Sequence, residues 1–414
     1  MRVMYLTWGE TPKKDGIFGS QVIQQLVETS SQHNNANFLL VSGLPLANSG
    51  FFRQGINFWR ELETIQTRLD KINHKILPLF CTQHWFYSKK HEFPFFHFFS
   101  GTKLRNLIRE YNPDVIHCRS YHAAWAALEA RKITKKSFKI IFDARGIWPE
   151  EAILKKRVKQ GDQNHQFMKH IERILLSEAD ATIAVSDTMA EHYKKLGVKR
   201  CETIYLSCPA PISQFSRLPT KNLGGLHYCY VGALGENTWH TPSSLFELYK
   251  HLRTLTSNTR LTIITQSDLN NLKIFKELPT GEVTFTRTDT SQDLHEKLVQ
   301  CDIGLLPYFA PNDEIEYLVA QTVLATKTVE YLSAGLPVIA NIFCGGASRL
   351  INNHKIGLTY DPNKIFASFS PEQLNSLIDP SIRKRATETA RSNFSFATNA
   401  KKYYELYQNL SAHV

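Results

Sequence analysis

Short, wholly apolar runs alternate with amphipathic stretches along nearly the entire chain, and this alternation constrains the fold more than any other feature. Residues 3–6, 38–41, 114–117, 139–142 and 181–185 read as strands, with helical patterns between them. Strands without a polar face must be covered on both sides, which predicts a parallel sheet flanked by helices. Ser186 suits a helix N-cap, and Gly197 suits that helix's end. Between 194 and 225 the pattern loosens, and Pro209, Pro211, Pro219, Gly224 and Gly225 fall there. A second series follows at 227–231, 261–265, 283–286, 303–306 and 338–340. The central break argues against one barrel and for two doubly wound domains. Residues 371–414 read as helical, and their stripe of Tyr403, Tyr404 and Tyr407 reads as packing.

Composition narrows the function classes. Lys and Arg outnumber Asp and Glu by 49 to 38, a formal charge of +11, which favours anionic partners. The cations are spread along the chain, and no nucleic-acid-binding module is present, so nucleic acid is not the expected partner. The seven cysteines form no C-x-x-C, which argues against a disulfide framework and for a reducing cytoplasm. No apolar run reaches a membrane-spanning length, and no signal peptide is evident, so a soluble or peripheral protein is expected. His117 and His122 lack further ligands at metal spacing, and no metal site is expected. The segment 79–105 carries nine aromatic residues among Lys89, Lys90, Lys103 and Arg105. It suits a peripheral contact with an anionic membrane, or alternatively a core element with solvated lysines.

The strongest chemical signal is the stretch from Lys327 through Glu330, Gly335 and Pro337 to Ala340. Lys327 and Glu330, three apart, share a helix face. Gly335 suits a left-handed cap and Pro337 stops the helix. A cation and a carboxylate near a helix start suit a nucleoside diphosphate: ammonium and helix N-terminus to phosphate, carboxylate to ribose. Taken alone, the pair is better read as an ordinary exposed helix ion pair.

Together with Cys301–Asp302–Ile303–Gly304 through Tyr308, and with Gly345–Gly346, this stretch resembles the C-terminal domain of the family 4 glycosyltransferases. Tyr230–Val231–Gly232, Gly16 to Gly19, 114–121 and 142–150 resemble other segments of that family. The resemblance implies an α/β, GT-B fold: two doubly wound Rossmann-like domains facing each other across a cleft. It implies an acceptor-side domain at 1–205, a linker at 206–225, a nucleotide-sugar domain at 226–385 and a helix at 386–414 crossing back to the first domain. It implies a retaining, metal-independent transfer from a nucleoside-diphosphate sugar, UDP favoured over GDP, to a glycan or lipid-linked acceptor, with no cofactor. The expected setting is surface polysaccharide or glycoconjugate synthesis, in the cytoplasm or at the inner face of its membrane.

By the same resemblance, Glu330 holds the donor ribose and Lys327 lies beside the phosphates. Gly16, Gly19, Gly232, Gly345 and Gly346 line the donor. Asp143 aligns best with the family's N-domain histidine and either orients a donor-sugar hydroxyl or caps a turn. With Lys327 and Glu330 it completes the expected catalytic set. Arg119, Arg145 and Glu150 are candidates for acceptor or phosphate contacts, and for Glu150 placement in a first helical turn fits equally well. Two departures stand out: Thr322 replaces an earlier glutamate, and Ala233 replaces an arginine. They keep open a degenerate scaffold protein, while a nucleotide-sugar epimerase of similar architecture is a further alternative.

Overall fold

The computed structural model describes residues 1–33, 35–46, 55–79, 94–208, 225–235, 240–367 and 369–412. The chain divides into two compact units, Met1–Ser207 with Phe396–Val414, and Cys208–Ser395.

The first unit is built on seven strands: β1 (Arg2–Trp8), β2 (Asn37–Pro45), β3 (Asn73–Leu79), β4 (Val115–Arg119), β5 (Lys139–Asp143), β6 (Ala181–Ala184) and β7 (Cys201–Thr203). Their order in the sheet is β3-β2-β1-β4-β5-β6-β7, and every pairing is parallel. Chain order reverses at β1, and in such sheets ligands bind beyond the carboxyl ends of the strands on either side of the switch, here β1 and β4. Val3, Leu40, Val115, Ile141 and Ile183 form the core, as wholly apolar strands require. The helix Phe396–Ser411 adds Tyr403, Tyr404 and Tyr407 to that same core, so the aromatic stripe is packing. Ser186 caps the helix Asp187–Lys195 by accepting from the Met189 amide at 3.1 Å, and Gly197 beyond it has φ 87°.

The second unit repeats the plan with β8 (His227–Val231), β9 (Arg260–Ile264), β10 (Val283–Thr286), β11 (Ile303–Leu306), β12 (Val338–Asn341) and β13 (Gly357–Tyr360). Their order, β10-β9-β8-β11-β12-β13, is the same 3-2-1-4-5-6 sequence of crossovers, again all parallel. The repeat lies in topology and not in residues. Each unit buries its own core, here Tyr228, Leu245, Leu261, Ile303 and Ile339.

Three strands escape the sequence pattern: β3, β7 and β13. All three lie at sheet edges, where one side lacks a neighbour and the run need not be wholly apolar. The expected linker lies mostly at 209–224, and much of the aromatic segment lies at 80–93; both stretches fall outside the described residues. Among the described residues no helix is long and apolar enough to cross a membrane.

Candidate active site

In the second unit the helix Thr326–Ser333 carries the Lys327–Glu330 pair. Tyr331, fully buried, fastens this helix to the sheet. Its hydroxyl donates to the Leu305 carbonyl at 3.1 Å and accepts from the Val231 amide at 3.0 Å. Gly304 makes room for the ring, since a Cβ there would come within 2.5 Å of it. The helix ends as its sequence predicts: Gly335 has φ 73°, its N–H reaches the Leu332 carbonyl, and the Leu336 N–H reaches the Tyr331 carbonyl.

Gly232 turns the chain directly after β8 with φ 114°, a region closed to most side chains. An added Cβ would lie 2.5 Å from Lys327 Cε, so the lysine stem lies against bare backbone. The ammonium sits 5.6 Å from the Tyr230 ring centroid, within cation–π range. Gly232→Ala should therefore destabilise the chain by about 1–3 kcal/mol through backbone strain while crowding the lysine. Chemical denaturation measures it, and a loss below the lower bound would contradict this account.

Lys327 and Glu330 are both half-buried. Among the described residues neither side chain makes a hydrogen bond or ion pair. Burial lowers the lysine pKa to about 8, against the opposing pull of Glu330. Burial also raises the Glu330 carboxyl, against the opposing pull of Lys327. Burial keeps His240 neutral, and the charge of Lys327 adds to that effect. Its ring packs edge-on against Tyr230 and Tyr308, with centroids at 5.4 and 4.6 Å. The cluster thus holds an unneutralised cation and an unpartnered carboxylate three residues apart at a helix start that no side chain caps. An anion with hydroxyls nearby would satisfy all three.

The remaining donor-side candidates fall in different surroundings. Gly345 and Gly346 open the helix Gly345–His354, but their amides donate to the Phe343 and Val323 carbonyls at 2.8 and 3.2 Å. A Cβ on Gly345 would lie 2.4 Å from the Gln321 carbonyl, so close packing alone demands a glycine there. Thr322 is buried, and its hydroxyl bonds back to Leu318 and Val319 within its own helix. A surface pocket of about 310 Å³ lined by Arg287, Asp289, Asp293 and Lys297 contains none of the expected donor residues.

In the first unit Arg119 and Asp143 end neighbouring strands in direct register, with Thr7 of β1 beside Arg119. Asp143 is fully buried. Its carboxylate lies 3.2 Å from Arg145 Nη1 and 3.3 Å from His117 Nε2. Burial alone would raise its pKa, but Arg145, His117 and Arg119 together hold it below the usual carboxylate range. Burial keeps His117 neutral despite Asp143. A neutral ring facing an ionised carboxylate carries its proton on Nε2, so Nδ1 accepts from the Tyr407 hydroxyl at 2.7 Å. Arg119 Nε contacts both Glu10 oxygens, at 3.0 and 3.2 Å. Gly16 has φ 69° with open space around it, whereas Gly19 packs against the Lys14 carbonyl.

Glu150 sits apart from these groups. It is buried in the first turn of the helix Trp148–Leu154 and pairs with Lys169 at 2.7 Å. Lys169 also bonds Glu172, which accepts from the Tyr121 hydroxyl at 2.8 Å. His117 and His122 do not converge: the second ring packs on Trp148 at 4.7 Å. No cluster of metal-ligating side chains occurs among the described residues. Residues that sequence reasoning missed are Glu10, Tyr407 and the His117–Asp143 contact. Only the polar residue inside an apolar strand, His117, was a visible signal.

Residues 72–208 match the family model Glycosyltransferase Family 4. No curated protein matches the chain. Among solved structures, a glycosyltransferase from Rickettsia africae is 16% identical, with TM-score 0.66 over 100% of this chain and 99% of that one. A sucrose-phosphate synthase from Thermosynechococcus elongatus is 16% identical, with TM-score 0.64 and full coverage of both chains. Anabaena HepE, in complex with UDP-glucose, is 14% identical, with TM-score 0.62 over 99% and 100%. Residues 72–208 thus resemble glycosyltransferase family 4, and over its full length the chain has the GT-B fold seen in solved glycosyltransferase structures.

Proposed function

We propose that the protein is a retaining, metal-independent glycosyltransferase that uses a nucleoside-diphosphate sugar, UDP-linked in preference to GDP-linked. The acceptor is a glycan or lipid-linked saccharide in surface polysaccharide or glycoconjugate synthesis, at the cytoplasmic face of the membrane. One observation carries this reading: Lys327 and Glu330, without a hydrogen bond or ion pair among the described residues, half-buried and three residues apart, at an uncapped helix start beside the Gly232 turn. Lys327 and the helix N-terminus would neutralise the diphosphate, most strongly as the leaving group gains charge. Glu330 would accept hydrogen bonds from the ribose hydroxyls. The departing diphosphate would assist acceptor deprotonation, and no protein base is assigned. Asp143, enclosed by His117 and Arg145, would act as a positioning residue through Arg145. The UDP-glucose complex of Anabaena HepE supports the choice of donor class.

Calorimetry with UDP and GDP tests the donor, and anomeric NMR of the product tests retention. Absence of binding by either nucleotide would remove the enzyme reading. It would favour a scaffold role, for which the self-bonded Thr322 in place of a glutamate is the supporting observation.

A pH dependence follows from Lys327. In the free protein it is cationic below about 8, and a bound diphosphate raises that value. Binding should thus be constant from neutral pH to about 8 and then weaken, reaching about tenfold by pH 9. A Lys327→Gln chain should show a flat profile. A wild-type profile equally flat would contradict the role of this ammonium.

A further inference from the structure

The first unit holds a second charged feature that the donor reading does not use. Arg119 is 5% exposed, and its Nη1 is buried with no hydrogen-bond partner. Glu10 takes only the Nε side, so Nη1 is left without a partner among the described residues. A buried guanidinium N–H left unsatisfied is costly, and a native structure that keeps one calls for a reason, of which a bound partner is one. Directly after Arg119 the helix Ser120–Thr134 begins, fifteen residues long, and no side chain caps its first turn. Arg145, held at φ 62°, contributes a second guanidinium over Asp143 at the same sheet edge. These carboxyl ends of β4 and β5 lie beside the point where chain order reverses, the usual ligand position in such sheets.

We propose that this edge of the first unit binds a carboxylate carried by the substrate's sugar, with Arg119 as its principal contact. The inference rests on the glycosyltransferase reading and narrows its substrates to acidic sugars, in donor or acceptor. Charge balance selects the class of anion. Arg119 and Arg145 are offset by Glu10 and Asp143, and His117 is neutral, so the empty site is close to neutral overall. A singly charged, planar carboxylate fits such a site and the terminal N–H face of Arg119, whereas a doubly charged phosphate would be under-compensated.

Saturation-transfer NMR on the full chain with glucuronate, glucose and glucose 6-phosphate tests this. Glucuronate should bind at least tenfold more tightly than glucose and more tightly than the phosphate ester. Arg119→Met should abolish that preference, Arg119→Lys should retain only part of it, and both should leave UDP affinity unchanged. Glu10→Gln, a milder change, should tighten glucuronate binding by releasing the Nε side. Equal binding of glucuronate and glucose, preference for the phosphate ester, no binding of any probe, or indifference to Arg119→Met would each overturn the proposal. Failure of the donor reading is read separately, from UDP calorimetry on the same samples.

Discussion

Lys327→Met should lower kcat/KM with a nucleoside-diphosphate sugar by about 10²–10³ while leaving the unfolding temperature unchanged or raised. The two effects have one origin. Burial holds the lysine pKa near 8, below the value of an exposed lysine, so the folded chain disfavours the charged form. Such a shift makes the protonated lysine a burden on folding below pH 8, relieved only as pH rises toward the unfolded value. Glu330 offsets this in part, but among the described residues no hydrogen bond or ion pair anchors the ammonium. Methionine keeps the stem against Gly232 and removes the charge. A group kept at a cost to stability belongs to function. If it neutralises the leaving diphosphate, its loss should remove about 3–4 kcal/mol of transition-state stabilisation, typical of one preorganised contact. A thermal melt and steady-state kinetics on one preparation decide the matter. A variant that is both less stable and fully active would show that Lys327 merely packs.

The same balance explains what could be read from the sequence. Two-faced strands leave wholly apolar runs, so β1, β4, β5 and β12 were legible, as was the Schellman-type end at Gly335. β3 carries Lys75 and Pro78 and passes from exposed Asn73 and Lys75 to buried Leu77 and Leu79, which an edge strand permits. Lys327 and Glu330 were visible because both fall within one helical turn. The first-unit network was not, because its partners are distant in sequence: Glu10 and Arg119 are 109 residues apart, and His117 and Tyr407 are 290 apart. A local pattern carries no information on such pairs; the parallel pairing of β1 with β4 brings the first together, and packing of the helix Phe396–Ser411 on the sheet's core brings the second. Glu150 shows the converse. A first-turn acid suits both a helix dipole and a ligand, and Lys169, nineteen residues on, takes it into a buried ion pair.

Asp143→Ala should cost about 3–5 kcal/mol of folding stability, and Asp143→Asn less. A cap on an exposed turn would cost about 1 kcal/mol. Asp143 is different because it is fully buried and answers two partners at once, Arg145 and His117. Removing it leaves a guanidinium that is 13% exposed without its counter-charge, and a buried imidazole N–H without an acceptor. Breaking a buried pair from one side is costly because the surviving charge keeps its desolvation penalty. The sign of the pH dependence follows. The folded pKa of Asp143 is depressed below its ordinary value, so its contribution is present above about pH 4 and fades as pH falls further. The deficit of the alanine variant should therefore be full at pH 7 and shrink in acid. His117 passes the disturbance to Tyr407, so amide exchange should quicken in the helix Phe396–Ser411 before the rest of the unit. Urea melts at pH 7 and pH 3.5, with hydrogen exchange on the variant, measure all three effects. A loss under 1 kcal/mol, equal at both pH values, would mean that the carboxylate only caps its turn and that Arg145 is held in place by something else.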